Sequence, residues 1–144
     1  MADQYDLDRF VRAQDLDATY ERALAELQRG EKVSHWMWFV FPQIAGLGHS
    51  PTAQRYAISS LDEARAYLDH PVLGPRLAQS AGVVASTPGR TAEQIFGPVD
   101  AQKLRSSMTL FWRAAPDRPL FSQVLDLYFD GLADAATDNL LGGA

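Results

Sequence analysis

Apolar residues recur at helical spacing along most of the chain, and caps and stops separate the runs. Phe10 and Val11, then Tyr20, Ala23, Leu24 and Leu27, follow a helical period, and Gly30 after Arg29 reads as a C-terminal stop. Ser60 and Glu63 form a capping box, with Leu61, Ala64 and Leu68 as the apolar stripe behind it. Pro71 suits a first helical turn, and residues Val72 to Val84 read as helix despite Gly74 and Pro75. Thr91 and Gln94 make a second box that Gly97 soon closes, and Asp100 can cap a helix from Ala101 to about Arg113. Pro119 opens a helix carrying Phe121, Val124, Leu125 and Tyr128 on one face and ending at Gly131. A short helix over Ala135 to Leu141 closes the chain.

Alternating segments are scarce. The strongest strand pattern is "WMWFVF", but Ser34 before it is a good N-cap and its neighbours are helical, so the segment is expected as a short helix. The expected fold class is therefore all-α: a single compact domain over residues 1–144 with about six to eight helices.

Composition narrows the function classes. A chain of 144 residues with 47% apolar content can bury a core without disulfides, and it has no cysteine to form one. That excludes thiolate catalysis and Cys-ligated metals, and it fits a reducing, cytoplasmic setting. The start, "MADQYDLDRF", is acidic and polar, unlike a secretory leader. No apolar run approaches the roughly 20 residues that span a bilayer. Net charge is −5 with no basic cluster, which argues against duplex nucleic acid as a partner. No acidic or histidine cluster at ligand spacing points to a metal, and no motif points to a cofactor.

Two stretches carry candidate chemistry. The first is "SHWMWFVFPQIAGLGHS", Ser34 to Ser50. Phe39 and Phe41 suit a core. Trp36 and Trp38, two positions apart, cannot share one helix face, so one is expected inside and the other at a cleft where it could stack on a flat ligand. Gly46 and Gly48 permit close backbone approach, and Ser50 with Pro51 starts a helix, an arrangement able to receive an anion. As a phosphate signature it is weak, being neither a Walker loop nor a dinucleotide fingerprint. Gln43 and His49 flank the loop as hydrogen-bonding groups, while His70 reads as a helix C-terminal residue.

The second stretch is "FGPVDAQKLRSSMTLF", Phe96 to Phe111. Leu104, Met108, Phe111 and Trp112 form its apolar face. Lys103, Ser106 and Ser107 sit beside that face at i, i+3 and i+4, suited to a phosphate or ribose, or to a Ser/Lys nucleophile pair, or simply to helix packing.

Four blocks in order resemble a known bacterial family: "HWMWFVFPQIAGLGHS", "YAISSLDEARAYLDHPVLGPRL", "IFGPVDAQKLRSSMTLF" and "VLDLYFDGLADAATDNLL". This is domain of unknown function 1810, whose members sometimes carry the label calpastatin. The resemblance covers about Leu7 to Leu141. It implies a small, mostly helical, cytoplasmic protein and no established activity. The order of a Trp-containing segment, a Tyr/Glu/Ala helix and a Met/Phe/Leu helix pair is also similar to the NADAR (YbiA-like) family, which implies action on N-glycosidic bonds of ADP-ribose or riboflavin-pathway intermediates.

The leading expectation is a pocket for a nucleotide-like or ADP-ribose-like small molecule. Trp36 or Trp38 would stack on the base, and Gln43, Gly46, Gly48, His49, Ser50, Lys103, Ser106 and Ser107 would hold the rest. Were the bond cleaved by an N-glycosidase step, Asp100 and Glu63 would be the candidate catalytic carboxylates, although each also reads as a helix cap. The alternative is a non-catalytic protein-interaction or structural domain. The two readings part on whether the aromatic block and the Lys103 helix line one concavity.

Overall fold

Caps and stops set the element boundaries in the computed structural model, which describes residues 3–87 and 89–142. The outermost residues of the expected domain, Met1, Ala2, Gly143 and Ala144, lie outside the described residues. The helices are α1 (Asp8–Asp15), α2 (Thr19–Arg29), α3 (Met37–Val40), α4 (Pro51–Arg55), α5 (Leu61–Asp69), α6 (Leu73–Ala85), α7 (Ala92–Ala114), α8 (Pro119–Phe129) and α9 (Ala135–Leu140). Six are longer helices, and α3, α4 and α9 are single turns or little more. The fold is all-α. Among the described residues the sole extended pairing is one parallel bridge between Ile44 and Ile58.

Local chemistry explains the ends. Gly30 takes φ 74° after α2, a left-handed stop that a side chain would strain. Ser50 accepts from the Ala53 amide with Pro51 in the first turn, and Ser60 accepts from the Glu63 amide. Thr91 and Gln94 complete a reciprocal box at the start of α7. Gly97, at φ 80° and ψ 161°, then breaks α7 in two, and Pro98 restarts it.

At three positions the structure departs from what local chemistry predicts. Ser34 does not cap α3; Trp36 holds the N-cap position, and Ser34 is drawn instead to the Glu26 carboxylate. Glu63 does not return to the Ser60 amide; its Oε1 accepts from the amide and hydroxyl of Ser59. Asp100 does not cap a helix, because α7 resumes at Pro98 and Asp100 already lies within its first restarted turn.

Packing centres on α7, which lies against α5, α8 and α9, while α6 bridges α2, α5 and α8. Aromatic contacts run through the core from Phe10 to Tyr67, Phe111 and Phe121, with ring centroids 5.2, 5.3 and 5.8 Å apart. The Ile44–Ile58 bridge ties the Phe41–Ser50 loop to the segment before α5, and Gln43, Leu47 and Gly48 of that loop share a groove with Val99, Gln102, Lys103 and Ser106 of α7. No helix of the described residues is long and apolar enough to cross a membrane.

Candidate functional site

The two tryptophans of the aromatic block go opposite ways. Trp36 is fully buried and its indole N–H donates to Glu26 at 2.9 Å. A ring so enclosed cannot stack on a ligand, so Trp36 leaves the candidate set and belongs to the core. Trp38 is half-buried and stands on the wall of a groove of about 400 Å³. Gln43, Leu47 and Gly48 continue that wall, and Val99, Gln102, Lys103, Ser106, Asp134 and Ala136 form the other. A smaller lobe of about 120 Å³ adjoins it on the loop side, shares Trp38, Gln43, Leu47 and Gly48, and includes Gly46.

Glycine makes this loop geometry feasible. A Cβ on Gly48 would come within 2.6 Å of the Ala53 Cβ on α4 and 3.7 Å of the Trp38 ring. Gly46, at φ 104°, lies where a Cβ would meet Leu140 of α9 at 3.0 Å.

Behind the groove runs a chain of charges. Lys103 places its ammonium 3.8 Å from the Trp38 ring centroid and donates to Asp100 Oδ1 at 3.1 Å. Asp100 Oδ2 pairs with Lys32 at 2.8 Å. The Lys32 ammonium also donates to the Ser34 carbonyl at 2.6 Å and lies 5.1 Å from the Trp36 ring. Side-chain exposure is 19% for Lys103, 19% for Asp100 and 7% for Lys32. Burial alone would push the Asp100 carboxyl up, but the bonds from Lys32 and Lys103 outweigh it and hold the pKa below the ordinary carboxylate value. With two lysines against one carboxylate, the trio carries one net positive charge beside the groove.

Glu26 anchors the inner end. It is buried and accepts from the amides of Val33 and Ser34, the Ser34 hydroxyl and the Trp36 indole. Burial would raise its pKa, yet these four donors bring it down to about 2. This carboxylate went unread in the sequence. Its signal was an acidic residue within an apolar stripe, three positions after Ala23 and one before Leu27.

Other candidates separate. Ser106 and Ser107 are both buried on α7 but face differently: Ser106 borders the groove and bonds to Gln102 and Asp134, whereas Ser107 is off the groove lining and its hydroxyl has no partner among the described residues. Ser107 therefore cannot meet a ligand in the groove. A Ser/Lys nucleophile pair is also ruled out by connectivity, since the Ser106 hydroxyl donates to the Gln102 carbonyl and Asp134 while Lys103 is turned to Asp100. His49 and Ser50 are exposed and off the groove wall, with Ser50 occupied as the cap of α4. Glu63 is buried against Arg9 at 3.0 Å and Ser59, away from the groove. Neither catalytic candidate is an available acid: Asp100 is held ionised between two lysines, and Glu63 is walled in.

Asp134 is the carboxylate that does reach the groove. It caps α9, accepting from the amide and hydroxyl of Thr137, and takes further bonds from Gln102 and Ser106. Its readable signal was an Asp directly before a helical run. Gln102, Leu47, Val99 and Ala136 have no comparable signature. Among the described residues no group of three His, Cys, Asp or Glu is placed to hold a metal ion.

A family model described as "Protein of unknown function (DUF1810)" matches residues 4–141. The chain is also similar to the crystal structure of the conserved hypothetical protein Rv1873 from Mycobacterium tuberculosis. That protein is 52% identical, with a TM-score of 0.94 over 97% of this chain and 99% of that one. No curated protein matches.

Proposed function

The chain belongs to the DUF1810 family of proteins of unknown function, and from that premise we propose that its groove binds a small molecule of nucleotide type. A flat ring lies against Trp38, and an anionic group meets Lys103. Mononucleotides and ADP-ribose-like molecules both offer that pair of features. The observation supporting the reading is convergence: the aromatic block with its glycine loop and the polar face of α7, far apart in sequence, line one groove. Separate structural roles would not require them to meet.

We assign the groove binding and no chemical step. An N-glycosidase step needs a carboxyl group free to donate a proton or face a developing oxocarbenium charge. Asp100 is committed to Lys32 and Lys103, and both oxygens of Asp134 are engaged by Gln102, Ser106 and Thr137.

Thermal stability measured with AMP, NAD, ADP-ribose and ribose phosphate tests this reading. A ligand at about 100 times its Kd adds about 2.7 kcal/mol to the folded state. The three ring-bearing molecules are expected to raise Tm by several degrees and ribose phosphate by less. No shift with any of them, or an equal shift with ribose phosphate, contradicts the proposal.

A further inference from the structure

The Trp38 ring is already occupied. Its face carries the Lys103 ammonium at 3.8 Å, and Lys103 lines the larger lobe of the groove, which has the room for a stacked base. The smaller lobe, about 120 Å³, does not include Lys103. A base entering the larger lobe must therefore move the lysine from the ring.

Two features let the lysine move without stranding a charge. Its side chain is partly exposed, so the ammonium can reach water. Asp100 keeps Lys32 at 2.8 Å when Lys103 leaves, so no buried carboxylate is left unpaired. The ammonium still loses a cation–π contact and an ion pair, and a neutral ring gives it nothing in return. An anion on the same ligand does, through a charge-assisted hydrogen bond.

We propose that Lys103 is a latch on Trp38 that makes the groove select ligands bearing both a flat ring and an anionic group, so that nucleotides bind and nucleosides are disfavoured. This rests on the nucleotide-type reading of the groove and assigns its specificity to one side chain. It differs from a simple anion contact in one respect: removing the lysine helps a neutral ring as well as harming an anion.

Calorimetric titration with AMP and with adenosine reads both effects. The wild-type protein is expected to prefer AMP by about tenfold or more, the scale of one hydrogen bond to a charged group. Lys103→Met should weaken AMP and tighten adenosine relative to wild type, erasing the preference, while Lys103→Arg should retain it. If AMP weakens but adenosine is unchanged or weaker, the latch is wrong and the nucleotide reading survives. If neither ligand binds either protein, both fall.

A second measurement needs no ligand and guards against a binding defect caused by poor folding. Trp112 is half-buried and Trp36 is enclosed, so in a Trp112→Phe background indole quenching reports Trp38. Circular dichroism confirms that the proteins compared are folded. Adding Lys103→Met should uncover the ring and raise acrylamide quenching. Unchanged quenching in a folded variant overturns the latch.

Discussion

Glu26 shows how much one buried carboxylate can organise. Four donors from Val33, Ser34 and Trp36 converge on it, and Trp36 is fixed at the head of α3 by that bond. Because its folded pKa is lowered from 4.5 to about 2, the carboxylate contributes stability that is complete above the unfolded value and lost as pH falls through about 2. The difference corresponds to about 3 kcal/mol at neutral pH. Glu26→Gln is expected to lose about that much at pH 7 and to flatten the acid limb of stability between pH 5 and pH 2. Denaturant melts over this range check it. A variant as stable as wild type at pH 7 would remove Glu26 from its central role. The sequence offered a position for this residue but not its partners. Helical period places Glu26 with Ala23 and Leu27, yet nothing local says that Ser34 and Trp36 return to it across a turn.

At the scale of elements, α6 carries two glycines whose roles differ. A Cβ on Gly74 would sit 2.1 Å from the Leu68 carbonyl of α5, so backbone touches backbone there. On Gly82 a Cβ would meet nothing within 4 Å. Gly74→Ala is expected to destabilise by about 3 kcal/mol, since neither helix can yield without losing core contacts. Gly82→Ala should instead stabilise by up to about 1 kcal/mol through helix propensity and a less flexible unfolded chain. Thermal melts of the two variants should move in opposite directions; a parallel loss would show that the α5–α6 approach is not what Gly74 serves.

Element boundaries were legible where chemistry is local. Gly30, Ser50 with Pro51, and the Thr91–Gln94 box each act within one turn, and each boundary lies where its residue type requires. Boundaries were not legible where tertiary context overrides the local chemistry. Ser34 has the chemistry of a cap but is claimed by Glu26, whereas Asp100 has it too but falls inside the turn that Pro98 restarts, where it pairs with Lys32. The reason for Gly74 was invisible for the same cause, because its neighbour lies on another helix.

For the molecule as a whole, the groove exists because the Trp38 loop and α7 are brought together by packing elsewhere. The two unusual stretches were recognisable one by one. Their meeting was not, because no periodicity states which faces of α3, α7 and α9 converge. Trp38, Gln43, Gly46, Gly48, Lys103 and Ser106 were readable by residue type as groove residues, whereas Gln102 and Asp134 join through the α7–α9 contact. Ser107 was lost by one position of helical rotation.

Backbone amide and indole NMR shifts during titration with AMP test the central claim most directly, since they report where a ligand sits without assuming any activity. The account predicts saturable shifts concentrated at the Trp38 indole, the Gln43 side-chain amide, the amides of Gly46 to Gly48, and Lys103 and Ser106 on α7, with Trp36 and Glu63 little changed. No saturable shift, or shifts centred away from this groove, would contradict it.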